Sequence, residues 1–114
     1  MTRSSGILLP VSALPGPCGI GDLGTAAREF IDFLAAAGQR YWQILPLNPP
    51  DSAHSPYLSA STFAGSTDLL SPEPFMARGA LAADEVRSVD WGGDPMRVDY
   101  GRVHAGKTAL WAAA

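Results

Sequence analysis

This sequence has few cysteines and histidines and no long apolar run. Cys18 is the single cysteine among 114 residues, so no disulfide can form within the chain, as is usual in a reducing cytoplasm. Cys18, His54 and His104 lack metal-ligand spacing, so no metal site is predicted. No apolar stretch approaches the ~20 residues of a transmembrane helix, and the run Ile7–Leu14 is too short and too interrupted by proline for a signal peptide. We therefore expect a soluble, cytoplasmic protein without a membrane partner.

Excess positive charge and catalytic signatures are also missing. Eight basic and eleven acidic side chains give a net charge of −3, and the basic ones are scattered, so a nucleic-acid partner is not expected. There is no G-x-S-x-G nucleophile motif. The adjacent carboxylates Asp84 and Glu85 fall in a predicted surface helix, where solvated side chains are usual. We predict no catalytic residue within residues 1–114.

What the sequence does contain is a strand–helix–strand pattern set among ten prolines and twelve glycines. The apolar run Gly6–Leu9 predicts a buried parallel strand. Thr25–Ala37 has apolar residues at helical spacing, and Gly38 follows it as a usual helix terminator. Tyr41–Leu45 predicts a second strand, so the three segments form a βαβ unit. The apolar face of the helix comprises Ala26, Phe30, Phe33, Leu34 and Ala37.

Beyond Leu70 the pattern weakens. Short helices are predicted over 74–78 and 82–87 and a loop over 90–99. A last helix over 103–114 places Val103, Leu110 and Trp111 on one side. Two strands cannot form a parallel sheet covered on both faces, and the last helix has no stop signal. We therefore expect a piece of a larger chain; the alternative is a small α/β domain with a frayed end.

The segment Gly19–Gly24, G-I-G-D-L-G, matches the dinucleotide-binding fingerprint by letter. A pyrophosphate site needs its first glycine directly after the strand, whereas a stretch with three prolines lies between Leu9 and Gly19. No acidic residue for the ribose ends the second strand. These glycines are therefore predicted to permit a tight loop and close helix packing. Asp22 and Thr25 are both candidates to cap the start of the helix. We expect Asp22 to act either there or in a hydrogen bond within the loop.

The loop after the second strand carries the candidate binding residues. Its sequence P-P-D-S-A-H-S-P-Y ends at Tyr57, beyond the carboxyl edge of the strand, where ligands bind in parallel α/β folds. Pro56 restricts Ser55 to extended geometry, so Tyr57 is held at low entropic cost. A rigid aromatic ring with a polar tip suits a sugar. The residues alone leave two possibilities open: a sugar platform, and a ring packed into the loop's own core.

Three segments, in order, carry a family resemblance. They read G-I-L-L-P-V-S-A-L-P-G-P-C-G-I-G-D-L-G, F-I-D-F-L-A-A-A-G-Q-R-Y-W-Q-I-L-P-L and S-P-Y-L-S-A-S-T-F-A-G, all within residues 5–70. Together they resemble the opening of amylomaltases, which are 4-α-glucanotransferases. The tail, with Val98, Asp99 and Tyr100 followed by Lys107, is similar too. More distantly, the segments resemble the start of α-amylase-clan barrels.

The resemblance implies an α/β fold, the (β/α)8 TIM barrel, of which residues 1–114 would hold only the first βαβ unit and the start of a following insertion. It implies transfer of α-1,4-glucan segments between maltodextrins by retaining double displacement, without a metal or organic cofactor. The nucleophilic aspartate and the acid/base glutamate are expected beyond Ala114, so the isolated fragment would be inactive. Tyr57 matches the tyrosine that stacks on the sugar beside the scissile bond, with Ser55 and Pro56 as its setting.

Two rival functions remain open beside the transferase. One is an α-glucan hydrolase of the same clan, because only the acceptor of the glycosyl group distinguishes hydrolysis from transfer. The other is a non-catalytic glucan-binding fragment built around Tyr57, although unpaired sheet edges disfavour a free-standing fold. A nucleotide-binding protein is a distant third.

Overall fold

Two parallel strands and four α-helices form the chain, and its computed structural model describes all of residues 1–114. In chain order the elements are β1 (Gly6–Leu8), α1 (Thr25–Ala36), β2 (Tyr41–Gln43), α2 (Glu73–Ala77), α3 (Ala83–Ser88) and α4 (Tyr100–Ala113). Single turns of 3-10 helix lie at Val11–Ala13 and Thr67–Leu69. None of the helices is both long and apolar enough to cross a membrane.

The two strands pair in parallel, as the βαβ pattern predicts, with Ile7 opposite Trp42 and Leu8 opposite Gln43. Both end earlier than predicted, although the Leu9 N–H still donates to the Gln43 carbonyl over 3.0 Å. The prediction of a buried first strand is wrong, because Ile7 is 41% and Leu8 is 57% exposed. The sheet contains these two strands alone, and so narrow a sheet cannot cover its own side chains.

Helix α1 ends as the sequence predicts. Gly38 takes the left-handed conformation with φ of +70°. The Gln39 N–H donates to the Leu34 carbonyl at 2.9 Å, and the Gly38 N–H donates to the Ala35 carbonyl at 3.1 Å. This pair of bonds is the Schellman motif, which satisfies carbonyls that the helix itself leaves free.

The buried face of α1 is narrower than the predicted one. Ala27 and Leu34 are buried, and Phe30 meets the Trp42 indole of β2 edge-on at 5.0 Å between ring centroids. The Trp42 indole N–H donates to the Leu9 carbonyl at 2.9 Å, which fixes the ring between strand and helix. Phe33, predicted on the apolar face, is 61% exposed.

The main apolar core lies away from the sheet, between the loop after β1 and the helices of the second half. Cys18 from that loop packs with Leu81, Val86 and Leu110, and half-buried neighbours such as Trp111 surround them. The short helices agree with those predicted over 74–78 and 82–87 to within one residue at each end. Helix α4 begins at Tyr100, three residues earlier than predicted, because the Asp99 carboxylate accepts the Arg102 N–H at 3.1 Å and caps it.

Candidate functional site

A cleft of about 210 Å³ lies beyond the carboxyl ends of β1 and β2. Pro10 and Val11, which follow β1, line one side, and Leu45–Asn48, which follow β2, line another. Asp68 and Tyr100 bring a carboxylate and a phenol to the same space. The lining combines apolar surface with a few polar groups, which is the usual composition of a small-molecule site.

Residues 49–64, called the 49–64 loop below, form a further wall of this cleft through Pro50, His54 and Pro56. Within the loop the Asp51 N–H donates to the Leu58 carbonyl at 2.8 Å. The side-chain amide of Asn48 closes the base of the loop by donating to the carbonyls of Ser61 and Ala64 at 3.2 and 3.0 Å. The loop is irregular in backbone but held in one shape by its own hydrogen bonds.

The three predicted binding residues occupy different places in this loop. Pro56 lines the cleft, whereas Tyr57, the next residue, is not among the lining residues and has 70% of its surface exposed. The Ser55 hydroxyl is turned back, since its oxygen accepts the Tyr57 N–H at 3.4 Å. Tyr57 is therefore not packed into the loop's own core.

Sequence reasoning missed two aromatic rings at this site, those of His54 and Tyr100. They stack with 4.4 Å between ring centroids and 10° between ring planes, and both line the cleft. His54 is also the only residue other than glycine with a positive φ, +58°. From the sequence, His54 was considered only as a metal ligand, a role that its spacing excludes. The place of His54 in a proline-rich loop was the sequence feature that could have pointed to this pair.

The carboxylate of Asp68 is oriented by a partner from α4. His104 Nδ1 lies 3.1 Å from both Asp68 oxygens, and the Asp68 side chain is 15% exposed. The Ser66 hydroxyl oxygen accepts the Asp68 N–H at 3.3 Å and starts the 3-10 turn. Asp68 thus lines the cleft with a carboxylate whose orientation is fixed by His104.

The G-I-G-D-L-G segment behaves as the packing interpretation predicts. Gly19 has φ of +70°, and a Cβ there would meet the Trp91 backbone and lie 3.0 Å from Trp91 Cβ. A Cβ on Gly21 would lie 2.6 Å from Leu14 N, and one on Gly24 would crowd the Ser71 side chain. Because these glycines have no Cβ, neighbouring residues of the chain pack directly against their backbone. That packing leaves no room for a pyrophosphate.

Asp22 takes the role assigned to it, because its Oδ1 accepts the Gly24 N–H at 3.0 Å at the start of α1. The cap that the sequence did not reveal is Glu73, whose Oε2 accepts the N–H and the hydroxyl of Thr25 at 2.9 and 2.8 Å. The Arg28 guanidinium forms a salt bridge with the same carboxylate, with 3.3 Å between Arg28 Nη2 and Glu73 Oε2. A carboxylate at a helix start also interacts favourably with the helix dipole.

No group of three or more His, Cys, Asp or Glu side chains is placed to hold a metal ion. Cys18 lies fully buried in the core, and burial raises the pKa of its thiol more than the nearby Lys107 lowers it. A thiol in that state is protonated and packs as an apolar side chain.

The profile of the 4-alpha-glucanotransferase family matches residues 9–114 of the chain. The chain belongs to the 4-alpha-glucanotransferase family. The family predicted from the three ordered motifs is thereby confirmed. This member is 47% identical to the 4-alpha-glucanotransferase of Thermus thermophilus over 107 residues, which is 94% of this chain and 20% of that protein. It is 43% identical to the Streptococcus pneumoniae TIGR4 protein of the same name, over 95% of this chain and 21% of that one.

Among solved structures, the chain superimposes on an amylomaltase from Streptococcus agalactiae in complex with acarbose, with a TM-score of 0.85 and 34% sequence identity. The match covers 99% of this chain and 24% of that protein. The α/β architecture described above is therefore that of one part of an amylomaltase. This 4-alpha-glucanotransferase family member spans about a fifth of the length of the curated relatives it matches.

Proposed function

We propose that residues 1–114 form the amino-terminal part of a catalytic (β/α)8 barrel rather than a domain of their own. The two-stranded sheet with exposed faces supports this, since a covered parallel sheet needs further strands. The radius of gyration, 15.3 Å, also exceeds the roughly 13 Å typical of a compact domain of this length. Exposed Ile7 and Leu8 would then pack against later strands of the barrel.

The activity we propose for the whole protein is transfer of α-1,4-glucan segments between maltodextrins by a retaining double displacement. An aspartate outside residues 1–114 attacks the anomeric carbon, and a glutamate protonates the leaving oxygen and later deprotonates the acceptor hydroxyl. Both steps are carboxylate chemistry and need no metal or organic cofactor. Residues 1–114 contain no such pair, so they would be inactive alone. We place this activity in the cytoplasm, where a lone thiol such as Cys18 stays reduced.

The observation that carries the proposal for this chain's own residues is the exposed ring of Tyr57 on a loop closed by its own hydrogen bonds. Tyr57 would stack on a glucose ring, with Pro56 and Ser55 holding the loop in shape. The related amylomaltase in complex with acarbose, a maltooligosaccharide analogue, supports a glucan as the ligand. Apolar C–H faces of glucose suit an aromatic ring, and the phenol suits its hydroxyls.

The test is to incubate the complete protein that carries these residues with maltotriose. We expect glucose and longer maltodextrins with no gain in reducing ends, because transfer conserves linkages. A gain in reducing ends would identify the hydrolase instead, and no conversion would reject the enzyme. Tyr57→Ala should raise KM for maltotriose roughly 5- to 30-fold, the effect of losing one or two kcal/mol. Tyr57→Phe, which keeps the ring, and the remote surface change Arg87→Ala should stay close to wild type.

The non-catalytic alternative is tested on the 114-residue chain itself. A glucan-binding module that stands alone should unfold in one cooperative transition and shift that transition upward with maltotriose. A broad, ligand-independent change in circular dichroism would support the barrel-fragment proposal.

A further inference from the structure

The 49–64 loop is isolated from the rest of the chain in its hydrogen bonding. Every hydrogen bond made by residues 49–64 has its partner within residues 48–64. None of its side chains forms a salt bridge, since all six ion pairs lie elsewhere. The loop therefore has a defined internal shape, but no polar contact beyond Asn48 orients it over the cleft.

One directional contact does reach another element, the stack of His54 on Tyr100. The ring planes are within 10° of parallel at 4.4 Å between centroids. Tyr100 is the first residue of α4, whose start is capped by Asp99. Its ring is thus anchored on a regular element, while the His54 ring belongs to the loop.

The backbone at His54 supports the same interpretation. Its φ of +58° lies in the left-handed region, which costs free energy for any residue with a Cβ. The His54 N–H donates to the Asp51 carbonyl at 2.9 Å, so a tight turn carries the ring toward α4. A strained backbone persists when surrounding contacts determine it, and the stack on Tyr100 is such a contact.

We propose that His54 is a positioning residue: its stack on Tyr100 docks the 49–64 loop on α4 and so fixes the position of Tyr57, which directly follows the cleft-lining Pro56. The inference rests on the proposed role of Tyr57 as a sugar platform. Tyr57 follows three residues after His54, and the Leu58 N–H bond to the Ser55 carbonyl at 3.2 Å makes the segment between them one turn. A docked loop loses less conformational freedom when the sugar binds, which strengthens binding without a further contact to it.

The first test measures amide hydrogen exchange in the complete protein that carries these residues, without any glucan. In His54→Ala, the amides of Asp51 and Leu58 should exchange roughly 2- to 10-fold faster, the range that one aromatic pair supplies. His54→Phe, which keeps a ring, should restore protection. His54→Gly removes the ring but relieves the left-handed backbone, so it should resemble His54→Ala. Protection in His54→Gly equal to wild type would overturn the proposal, because backbone conformation alone would then explain the residue.

The second test measures KM and kcat with maltotriose for the same variants and for Tyr57→Ala. We expect His54→Ala and His54→Gly to raise KM roughly 2- to 10-fold with kcat within about twofold, and His54→Phe to restore KM. An equal fall in kcat across all variants with unchanged KM would overturn the positioning role. If Tyr57→Ala raises KM while His54→Ala does not, this inference fails alone. If Tyr57→Ala leaves KM unchanged, the sugar platform fails, and the exchange data still decide whether the stack docks the loop.

Discussion

Lys107 and Asp22 form an ion pair inside the protein, with 3.4 Å between Lys107 Nζ and Asp22 Oδ2 and both side chains nearly inaccessible to solvent. The same ammonium donates to the Leu70 carbonyl and lies 5.5 Å from the centroid of the Trp111 ring. The other Asp22 oxygen accepts the Gly24 N–H at 3.0 Å. One buried lysine thus joins the loop after β1, the segment before α2 and helix α4.

Replacing that lysine should destabilise the protein strongly. Lys107→Met keeps the length of the side chain but leaves the Asp22 carboxylate buried without a countercharge, a change that costs about 3–5 kcal/mol. Urea unfolding at neutral pH measures the loss. The matched change is Arg87→Met, which breaks the exposed pair with Asp84 and should cost no more than about 1 kcal/mol. Similar losses in the free energy of unfolding for the two variants would show that the buried pair contributes no more to stability than the exposed pair does.

The stability of the protein should depend on pH through Asp22. Burial raises the pKa of the Asp22 carboxyl above its ordinary value of 3.8, and the charge and hydrogen bond of Lys107 offset this only in part. The folded state therefore holds this proton to higher pH than the unfolded state does. The resulting stability is complete below about pH 3.8 and is lost as pH rises through the folded pKa.

The measurement compares wild type with Asp22→Asn, which has no titrating group at this position. Unfolding free energies taken from about pH 3.5 to 6.5 should show wild type losing stability relative to Asp22→Asn as pH rises. A relative gain over that interval would mean that the pair with Lys107 outweighs burial, and the stated direction would be wrong.

Glu73 should stabilise the start of α1 from a distance in sequence. Its Oε2 accepts both the N–H and the hydroxyl of Thr25, so Glu73→Ala should cost about 1 kcal/mol, as does the loss of a helix cap. In a double-mutant cycle with Thr25→Ala, the double variant should lose less stability than the sum of the two single losses, because both variants remove the bond between the Thr25 hydroxyl and Glu73. Glu29→Ala, on the exposed side of the same helix, is the control and should change stability by less than about 0.5 kcal/mol.

Two glycines with the same backbone conformation should respond differently to alanine. Gly19 and Gly38 both have φ of +70°, but a Cβ at Gly38 meets open space whereas one at Gly19 crowds Trp91. Gly38→Ala should cost about 1 kcal/mol for the left-handed backbone alone. Gly19→Ala should cost about 1–3 kcal/mol more, because the core around Trp91 must shift. If thermal unfolding showed equal losses of stability for the two variants, the residues around Trp91 would be able to move aside without a cost in free energy.

Local sequence patterns predicted the parts of the fold whose interactions are local. The 3.6-residue period of Thr25–Ala37 and the glycine after it located α1 and its Schellman end, since both depend on residues at most five apart. Pro56 and the motif around Tyr57 singled out the loop that stands at the cleft. Boundaries were less accurate, as with the early start of α4, because a single cap at Asp99 decides where a helix begins.

By itself, then, the sequence determined the family, the βαβ order and the loop that carries Tyr57. Tertiary structure alone decided which distant residues meet: Glu73 with Thr25 across 48 positions, Lys107 with Asp22 across 85, and His54 with Tyr100. The physical reason is that these contacts gain their strength from burial and orientation, which no local spacing encodes. The pairing of Lys107 was partly recognisable from the sequence. This lysine lies between Val103 and Leu110 on the buried face of α4, where a charged group must find a partner.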